Sequence, residues 1–277
     1  MELYPDFKSL AAAEDSSVLK SWEGLGYYSR ARNLHKLAKK VAGLKEIPQM
    51  RTKWLEFPGV GPYISAAITS MAFGQPEAVV DGNVVRVFSR ILQDGRIFKG
   101  SAEAAKKFSP IAAHFLDSVH PGDHNQGVME LGATICLPKK PHCLLCPVNN
   151  LCHANGGGLP ENYPKIERKK ARKVIVSRAF VVRDGSVLFH RYPPDAPRLA
   201  GLYELPKLED VNQGDGQELI AVRRRAISNQ SVEERIFRST SATLSENQYW
   251  VPMDEVEEIP LSGPHRAWLD ELMANLD

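Results

Sequence analysis

The stretch Phe57-Pro58-Gly59-Val60-Gly61-Pro62-Tyr63 restricts the possible folds of this chain more than any other segment does. Apolar residues at helical spacing lie on both sides of it, so we interpret it as a turn between two helices. Its glycines leave backbone N–H groups uncovered just before the second helix, and such groups bind phosphate. Pro62 suits the first turn of that helix. A plain tight turn remains the alternative.

Helical periodicity extends outward from this turn, from about Glu14 to Ile135, with few strand signals. The apolar residues that recur at this spacing are Val18, Trp22, Leu25, then Leu34, Leu37, Val41, then Ile64, Ala67, Ile68 and Met71. A repeat of three to four residues is typical of amphipathic helices. The region is therefore predicted to be all-α.

Upstream of the turn, residues Trp22–Leu34 combine helix-breaking glycines, an aromatic pair and two arginines. Aromatic side chains beside arginines are suited to entering a base stack while the arginines hold the nucleic-acid backbone. Taken alone, Tyr27 and Tyr28 could equally be core residues. The residues by themselves leave both interpretations open.

Downstream of the turn, one carboxylate follows an apolar run in Val79–Val87. Asp81 occupies an N-cap position for a helix that continues through Phe88 and Ile91. A plain helix cap is the simplest role for this residue.

The four cysteines of the chain are Cys136, Cys143, Cys146 and Cys152, so they form one site. A reducing cytosol argues against a pair of disulfides. Four thiolates this close in sequence can hold either zinc or a [4Fe–4S] cluster. Structural zinc sites usually pair two short Cys-x-x-Cys units, and only one occurs here, which favours iron–sulfur. Four unliganded thiols are the remaining alternative.

A change of composition marks a domain boundary after the cysteines. Residues 154–173 are rich in glycine and then in lysine and arginine, as in an exposed connector. From Val174 the runs are β-branched and aromatic, and Arg183-Asp184-Gly185 signals a hairpin turn. The prediction is a helical domain over residues 1–153 and an α+β domain over residues 174–277, closed by a helix from about His265 to Asn275.

The composition fits a soluble two-domain protein. Of the 277 residues, 43% are hydrophobic and 25% are charged, and the formal net charge is +2. That charge is too small to indicate a polyanionic partner by itself. No run of about 18 apolar residues and no signal peptide are found. We therefore expect a cytoplasmic, nucleoid-associated monomer of bacterial type without a membrane partner.

Together, the motifs from Trp22 to Cys152 resemble the MutY adenine DNA glycosylases of the helix–hairpin–helix superfamily, which also contains endonuclease III. The resemblance implies base excision repair. The implied reaction hydrolyses the N-glycosidic bond of adenine mispaired with 8-oxoguanine or guanine in double-stranded DNA. It also implies that the four cysteines bind a [4Fe–4S] cluster.

The resemblance implies a catalytic role for Asp81, whose carboxylate would face the deoxyribose and stabilise its oxocarbenium character. Tyr63 and Asn83 would be its active-site neighbours. Endonuclease III has a lysine at the Tyr63 position, where it forms a Schiff base with the sugar. A tyrosine there implies a monofunctional glycosylase.

The resemblance also implies DNA contacts. Tyr27 would wedge into the duplex beside the 8-oxoguanine. The other residues expected to contact DNA are Tyr28, Arg30, Arg32, Gly59, Val60, Gly61, Arg86 and, in the second domain, Ser228.

One family element has no match in this sequence. The family pairs its aspartate with a glutamic acid that protonates adenine, on a helix upstream of the segment that contains Tyr27. The nearest carboxylates here, Glu2, Glu14 and Glu23, are interpreted as solvated surface groups. We therefore expect the chain to begin at an internal methionine and to have weak or no excision activity. A non-catalytic DNA- or lesion-binding protein is the alternative function, and a zinc-stapled helical module unrelated to repair is a third.

Residues 174–277 resemble the MutT-like domain with which the family recognises 8-oxoguanine. The matches are Gly201–Pro206 and Leu261–Trp268. Gln217–Arg224 lacks the paired glutamates of a Nudix box, so hydrolase activity is not expected. Ile227-Ser228-Asn229 stands where the family has Phe-Ser-His, which implies weaker discrimination of 8-oxoguanine. A plain hairpin turn is the alternative at this position.

Overall fold

The computed structural model of this chain describes residues 2–167, 170–211, 217–227, 229–239 and 244–274. Within these ranges, no helix combines the length and the apolar character needed to cross a membrane. The fold combines a helical region with a mixed sheet, which confirms the predicted α+β multidomain class.

The chain folds into two compact units that divide it differently from the predicted domain boundaries. One unit is formed by residues 45–169, and the other joins residues 1–44 to residues 170–277. The physical reason is a shared apolar cluster, in which Leu10 and Leu19 near the N-terminus pack with Leu202. Helical periodicity identifies an apolar face but not the residues that cover it.

Three N-terminal helices belong to the second of these units: α1 (Phe7–Ala12), α2 (Asp15–Ser21) and α3 (Ser29–Val41). Helix α1 begins with a capping box. The side chain of Asp6 accepts from the N–H of Ser9 at 2.7 Å, and the hydroxyl of Ser9 accepts from the N–H of Asp6 at 3.2 Å. This reciprocal pair satisfies two backbone donors and fixes the start of the helix.

The unit of residues 45–169 is mainly helical, as predicted. Its elements are α4 (Arg51–Trp54), α5 (Pro62–Phe73), α6 (Gly82–Ile91), β1 (Ile97–Phe98), α7 (Ser101–Phe115), α8 (Pro121–Glu130), α9 (His153–Gly156) and β2 (Lys165–Ile166). The two short strands pair in parallel. Val84 and Phe88 of α6 are buried in its core with Phe98 and Phe108. The four-residue spacing of Val84 and Phe88 is the helical repeat seen in the sequence.

Residues 170–277 contain a mixed sheet. Its strands are β3 (Arg172–Arg183), β4 (Ser186–Arg191), β5 (Tyr203–Glu204), β6 (Glu218–Ile227), β7 (Gln230–Ser239) and β8 (Gln248–Pro252). Their order is β5-β4-β3-β7-β6, and β8 also pairs with β4. Strands β3 and β7 run parallel, and the other pairs are antiparallel. The final helix, α10 (Gly263–Met273), lies within the range predicted from about His265, while Asn275 lies outside the described residues.

Both faces of this sheet are covered. Phe180 packs with Trp268 and Leu269 of α10, whereas its neighbours Ala179 and Val181 belong to a second apolar cluster. This alternation is the two-residue repeat of a strand. The predicted turn between β3 and β4 is confirmed, with Asp184 and Gly185 at φ of 49° and 71° as a tight hairpin requires.

A network of buried charges crosses the core of the sheet. The Arg178 guanidinium donates to Glu234 at 2.8 Å and to Glu204 at 2.7 Å, and both carboxylates are fully buried. Arg225 pairs with both glutamates as well. Burial alone would raise the pKa of each carboxyl, but the neighbouring His265 and the guanidinium groups of Arg178 and Arg225 outweigh it and lower both values to about 2. The carboxylates are therefore charged in the folded protein.

We predict that this network makes stability depend on acid. Because the folded pKa of Glu204 and Glu234 lies below the ordinary value of 4.5, their contribution is present above about pH 4.5 and lost as the pH falls towards 2. Chemical unfolding of the sheet unit, measured between about pH 6 and pH 3, should show a loss on the order of 2 kcal/mol or more.

Glu204→Gln should lower stability near neutral pH and flatten this acid dependence, since it leaves Arg178 partly unpaired. The exposed Glu209→Gln serves as the matched control, because Glu209 lies at the surface, where it pairs with Lys207. Equal acid dependence in the wild type and in Glu204→Gln would contradict the assignment.

Candidate active site and cysteine-lined cavity

The Phe57–Tyr63 turn joins α4 to α5 as a helix–hairpin–helix. This confirms the interpretation of the segment as a turn between two helices. Gly59 has a φ of 76°, in the left-handed region that favours glycine. Val60 is buried and its N–H donates to Phe57 at 3.2 Å, which anchors the turn. Gly61 is the N-cap of α5 and makes no side-chain cap hydrogen bond. The positive end of the α5 dipole therefore lies at this turn, where it would favour an anion.

Tyr63 lies in the first turn of α5, beside the hairpin. Its side chain is 43% exposed, and its hydroxyl lies 3.8 Å from the sulfur of Met129. Its place near the reacting sugar stays a prediction.

Asp81 caps α6 and is held by two hydrogen bonds. Its Oδ1 accepts from the N–H of Val84 at 2.8 Å, and its Oδ2 accepts from Asn83 Nδ2 at 3.1 Å. The side chain is half-buried. The cap predicted from the sequence is thus confirmed, and both carboxylate oxygens have fixed positions.

Asn83 continues this network towards the cysteines. Its Oδ1 accepts from Arg86 Nη2 at 2.8 Å, and the same guanidinium donates to Gly132 O at 2.7 Å and, through Nε, to Cys136 O at 2.7 Å. The predicted contact of Arg86 with DNA stays a prediction. The structure instead places these donors inside the protein, between Asp81 and Cys136.

Gly132 allows the close approach on which this network depends. A Cβ atom at position 132 would lie 2.6 Å from the Cβ of Asn83 and 3.1 Å from its Cα. Sequence reasoning missed this glycine, because nothing near it in the chain indicates a contact with residue 83.

The four cysteines line a single cavity together with Arg90 and Asn155. Burial raises the pKa of the Cys143 and Cys146 thiols, and the neighbouring cysteines add to the rise. A nearby positive charge would favour the thiolate forms of Cys143 and Cys146. Over the described part of the chain, no group of three or more His, Cys, Asp or Glu side chains is arranged around a single metal ion.

Arg90 supplies positive charge at this cavity and was also missed by the sequence reasoning. It is 1% exposed, and its Nη1 lies 3.2 Å from Cys136 Sγ. The guanidinium also donates to Leu137 O at 2.7 Å, Pro138 O at 3.1 Å and Tyr163 O at 3.2 Å. Its sequence signal was an arginine among the apolar residues of α6, four positions after Arg86.

The aromatic pair splits between surface and core. Tyr27 is 75% exposed with a φ of 46°, and the Arg30 guanidinium lies 4.8 Å from the centre of its ring. Tyr28 is 7% exposed and packs in the core formed by the N-terminal helices. Tyr28 is therefore a core residue, whereas Tyr27 is exposed, as a DNA contact must be.

The remaining predicted DNA contacts receive less support from the geometry. Arg32 is half-buried and donates to Ala200 O at 3.2 Å. Ser228 lies outside the described residues, while its neighbours Ile227 and Gln230 pair at the ends of β6 and β7. Within residues 45–169 the fold brings together Asp81, Asn83, Arg86 and the cysteine loop. Tyr27, Tyr28, Arg30 and Arg32 belong to the other unit.

Comparison with protein families agrees with this geometry. Residues 1–112 match the family described as HhH-GPD superfamily base excision DNA repair protein. Over these residues the chain is similar to members of that superfamily. It is also 43% identical over 159 residues to an adenine DNA glycosylase of Schizosaccharomyces pombe. That match covers 56% of this chain and 34% of the relative, so the chain spans about a third of the curated relative's length.

Solved structures show weaker overall likeness. A thermostable thymine-DNA glycosylase matches with a TM-score of 0.47 and 30% identity, over 56% of this chain and 72% of the other. A MutT Nudix hydrolase from Burkholderia pseudomallei matches with a TM-score of 0.30 and 16% identity, over 36% of this chain and 98% of the other.

We predict that Gly132→Ala disrupts the network around Asn83. The added methyl group must displace backbone, so the free energy of unfolding should fall by about 1–3 kcal/mol. Gly127→Ala on α8 is the matched control, since nothing lies within 4 Å of its added Cβ atom. It should be neutral or slightly stabilising, because alanine favours a helix. Thermal unfolding of both variants checks this, and equal melting temperatures would contradict the close approach.

Proposed function

We propose that this chain carries the DNA-binding elements and the catalytic aspartate of an adenine DNA glycosylase, with weak excision activity because it has no assigned acid to protonate adenine. Its substrate is proposed to be adenine opposite 8-oxoguanine or guanine in double-stranded DNA. The observation that carries the proposal is the Asp81 carboxylate, which both Val84 N–H and Asn83 hold in place at the start of α6. The superfamily match over residues 1–112 and the similarity to adenine DNA glycosylases support the same reaction class.

The chemistry follows from the charge that develops on the sugar. As the N-glycosidic bond breaks, the deoxyribose gains oxocarbenium character, and a fixed carboxylate stabilises that positive charge. Asp81 is suited to this role, since its two hydrogen bonds prevent the carboxylate from turning away. Adenine must also be protonated as it leaves. The acid that performs this step is not assigned to a residue of this chain.

DNA is proposed to bind through two features. The N-terminus of α5, directly after Gly61, is proposed to attract a backbone phosphate through the positive end of the helix dipole. The exposed Tyr27, covered on one side by Arg30, is proposed to enter the base stack. Residues 174–277 are proposed to recognise 8-oxoguanine, with Ser228 as the contact. Tyr63 stands where a Schiff-base lysine would be needed, so we propose a monofunctional reaction without strand cleavage.

The cysteine-lined cavity is proposed to hold a [4Fe–4S] cluster. The four thiols and the Arg90 guanidinium line the same cavity, and four thiolates are the ligand set of such a cluster. The bound cluster would supply cross-links between Cys136, Cys143, Cys146 and Cys152. Arg90 would keep its guanidinium next to the sulfur of Cys136 and balance part of the thiolate charge.

Asp81→Asn tests the proposed chemistry. Asparagine caps a helix as well as aspartate does, so this variant removes the charge and keeps the fold. Single-turnover release of adenine from a duplex with adenine opposite 8-oxoguanine should fall at least about 100-fold. Asp6→Asn, at the N-cap of α1, is the matched control and should release adenine at the wild-type rate.

Two outcomes of that assay would overturn the proposal. One is excision that Asp81→Asn leaves unchanged, which removes Asp81 from the chemistry. The other is tight binding of the duplex without any excision by the wild type, which favours the non-catalytic lesion-binding function. Borohydride should trap no covalent complex with DNA, because residue 63 is a tyrosine, which cannot form a Schiff base as a lysine does.

Metal analysis tests the cluster. The purified protein should contain about four iron atoms per chain and absorb light at about 400 nm. Cys143→Ser should lower the iron content and the melting temperature together. One zinc ion per chain, with no absorption in the visible range, would overturn the iron–sulfur assignment and support the zinc alternative.

A further inference from the structure

The hydroxyl of Tyr28 joins the N-terminal helices to the C-terminal part of the same unit. It donates to Leu261 O at 3.1 Å and accepts from the N–H of Gly263 at 3.0 Å. Leu261 lies 233 residues away along the chain and is fully buried. Gly263 is the first residue of α10. The buried hydroxyl thus has both a donor and an acceptor, as buried polar groups require.

A second contact brings the same two segments together. The Arg266 Nε lies 2.6 Å from Glu23 Oε1, and the Arg266 guanidinium also donates to Val256 O and Ile259 O at 2.9 Å each. Glu23 is only 13% exposed as a side chain. Its interpretation as a solvated surface group is therefore wrong. The partner that covers it comes from α10 and could not be inferred from neighbouring residues.

The backbones of these segments also approach closely. A Cβ atom on Gly263 would lie 3.4 Å from the Cα of Gly24. Gly24 begins the turn that presents Tyr27, and its N–H faces the Tyr28 hydroxyl at 3.4 Å. The Trp22 indole closes the same turn by donating to Gly26 O at 2.9 Å.

This turn needs external support. Gly24, Gly26 and Tyr27 all have positive φ, and Tyr27 is not a glycine. A left-handed conformation at such a residue is unfavourable and persists only where the surroundings enforce it. Leu261, Gly263 and Arg266 supply contacts on the inner side of the turn, while Tyr27 points to the surface. Tyr28, which receives this support, is therefore the direct neighbour of Tyr27, whose ring is exposed.

We propose that the segment Leu261–Arg266 positions Tyr27 for insertion into DNA, and that Tyr28 is the positioning residue that transmits this support. The inference rests on the proposed function, since Tyr27 is the residue taken to enter the duplex. It assigns the C-terminal domain a second task beside recognition of the lesion: it holds the turn of the wedge in its binding conformation. Loss of the Tyr28 hydroxyl should therefore weaken DNA binding without removing any group that touches DNA.

A double-mutant cycle tests this positioning role. The four proteins are the wild type, Tyr27→Ala, Tyr28→Phe and the double variant, each as the full chain. Affinity is measured for a duplex with adenine opposite 8-oxoguanine. Fluorescence of 2-aminopurine beside the lesion reports unstacking by the wedge. Tyr249→Phe is the matched control, because Tyr249 is 47% exposed on β8 and loses the same hydroxyl.

Tyr28→Phe should weaken binding about 5- to 10-fold in the wild-type background, as expected for loss of the hydrogen bonds to Leu261, Gly263 and Gly24. It should also reduce the fluorescence change. In the Tyr27→Ala background the same substitution should change affinity less than about 2-fold. Glu23→Gln should act in the same direction as Tyr28→Phe, which guards against a variant that fails to fold. Tyr249→Phe should bind as the wild type does.

Equal losses in both backgrounds would overturn the inference, since Tyr28 would then support the fold and not Tyr27. No loss in the wild-type background would overturn it as well. If Tyr27→Ala itself leaves affinity and fluorescence unchanged, the wedge role fails and the inference fails with it. Asp81-dependent excision is measured separately, so failure of the proposed chemistry remains distinguishable from either result.

Discussion

Two arginines one helical turn apart on α6 hold the candidate site together. Arg86 bonds to Asn83, Gly132 O and Cys136 O, while Arg90 bonds to the backbone after Cys136 and faces its sulfur. A buried guanidinium is unfavourable unless its donors find acceptors. Here backbone carbonyls supply most of those acceptors. The same helix begins at Asp81, so one rigid element fixes both the carboxylate and the cysteine loop.

The unit with the sheet uses buried charge in another way. Arg178 and Arg225 face Glu204 and Glu234 across the core, and His265 accepts from the N–H of Leu205 at 2.9 Å. In neutral histidine this leaves the proton on Nε2, which lies 3.6 Å from Glu234. Removal of one partner from such a network is more damaging than its net contribution suggests. The network therefore restricts how the strands and α10 can pack.

Much of the fold and part of the site could be predicted from local patterns. The hairpin between α4 and α5, the Asp81 cap and the turn at Asp184 each depend on residues a few positions apart. Arg90 and Gly132 could not be found in this way. Their roles depend on residues about fifty positions away, such as the contacts of Arg90 with Cys136 and of Gly132 with Asn83. Residues 1–44 were likewise placed with the wrong neighbours, because an amphipathic helix does not identify what covers it.

The sequence by itself determined the helical character of the region around Phe57–Tyr63, the grouping of the cysteines and the position of a capped carboxylate. Each follows from short-range geometry, since helical periodicity, turns and caps involve residues within about one turn of one another. Only the tertiary structure decided that Tyr27 faces outward and Tyr28 inward. Adjacent tyrosines have the same intrinsic preferences, and the acceptor that draws one of them into the core, Leu261 O, is brought there by packing alone.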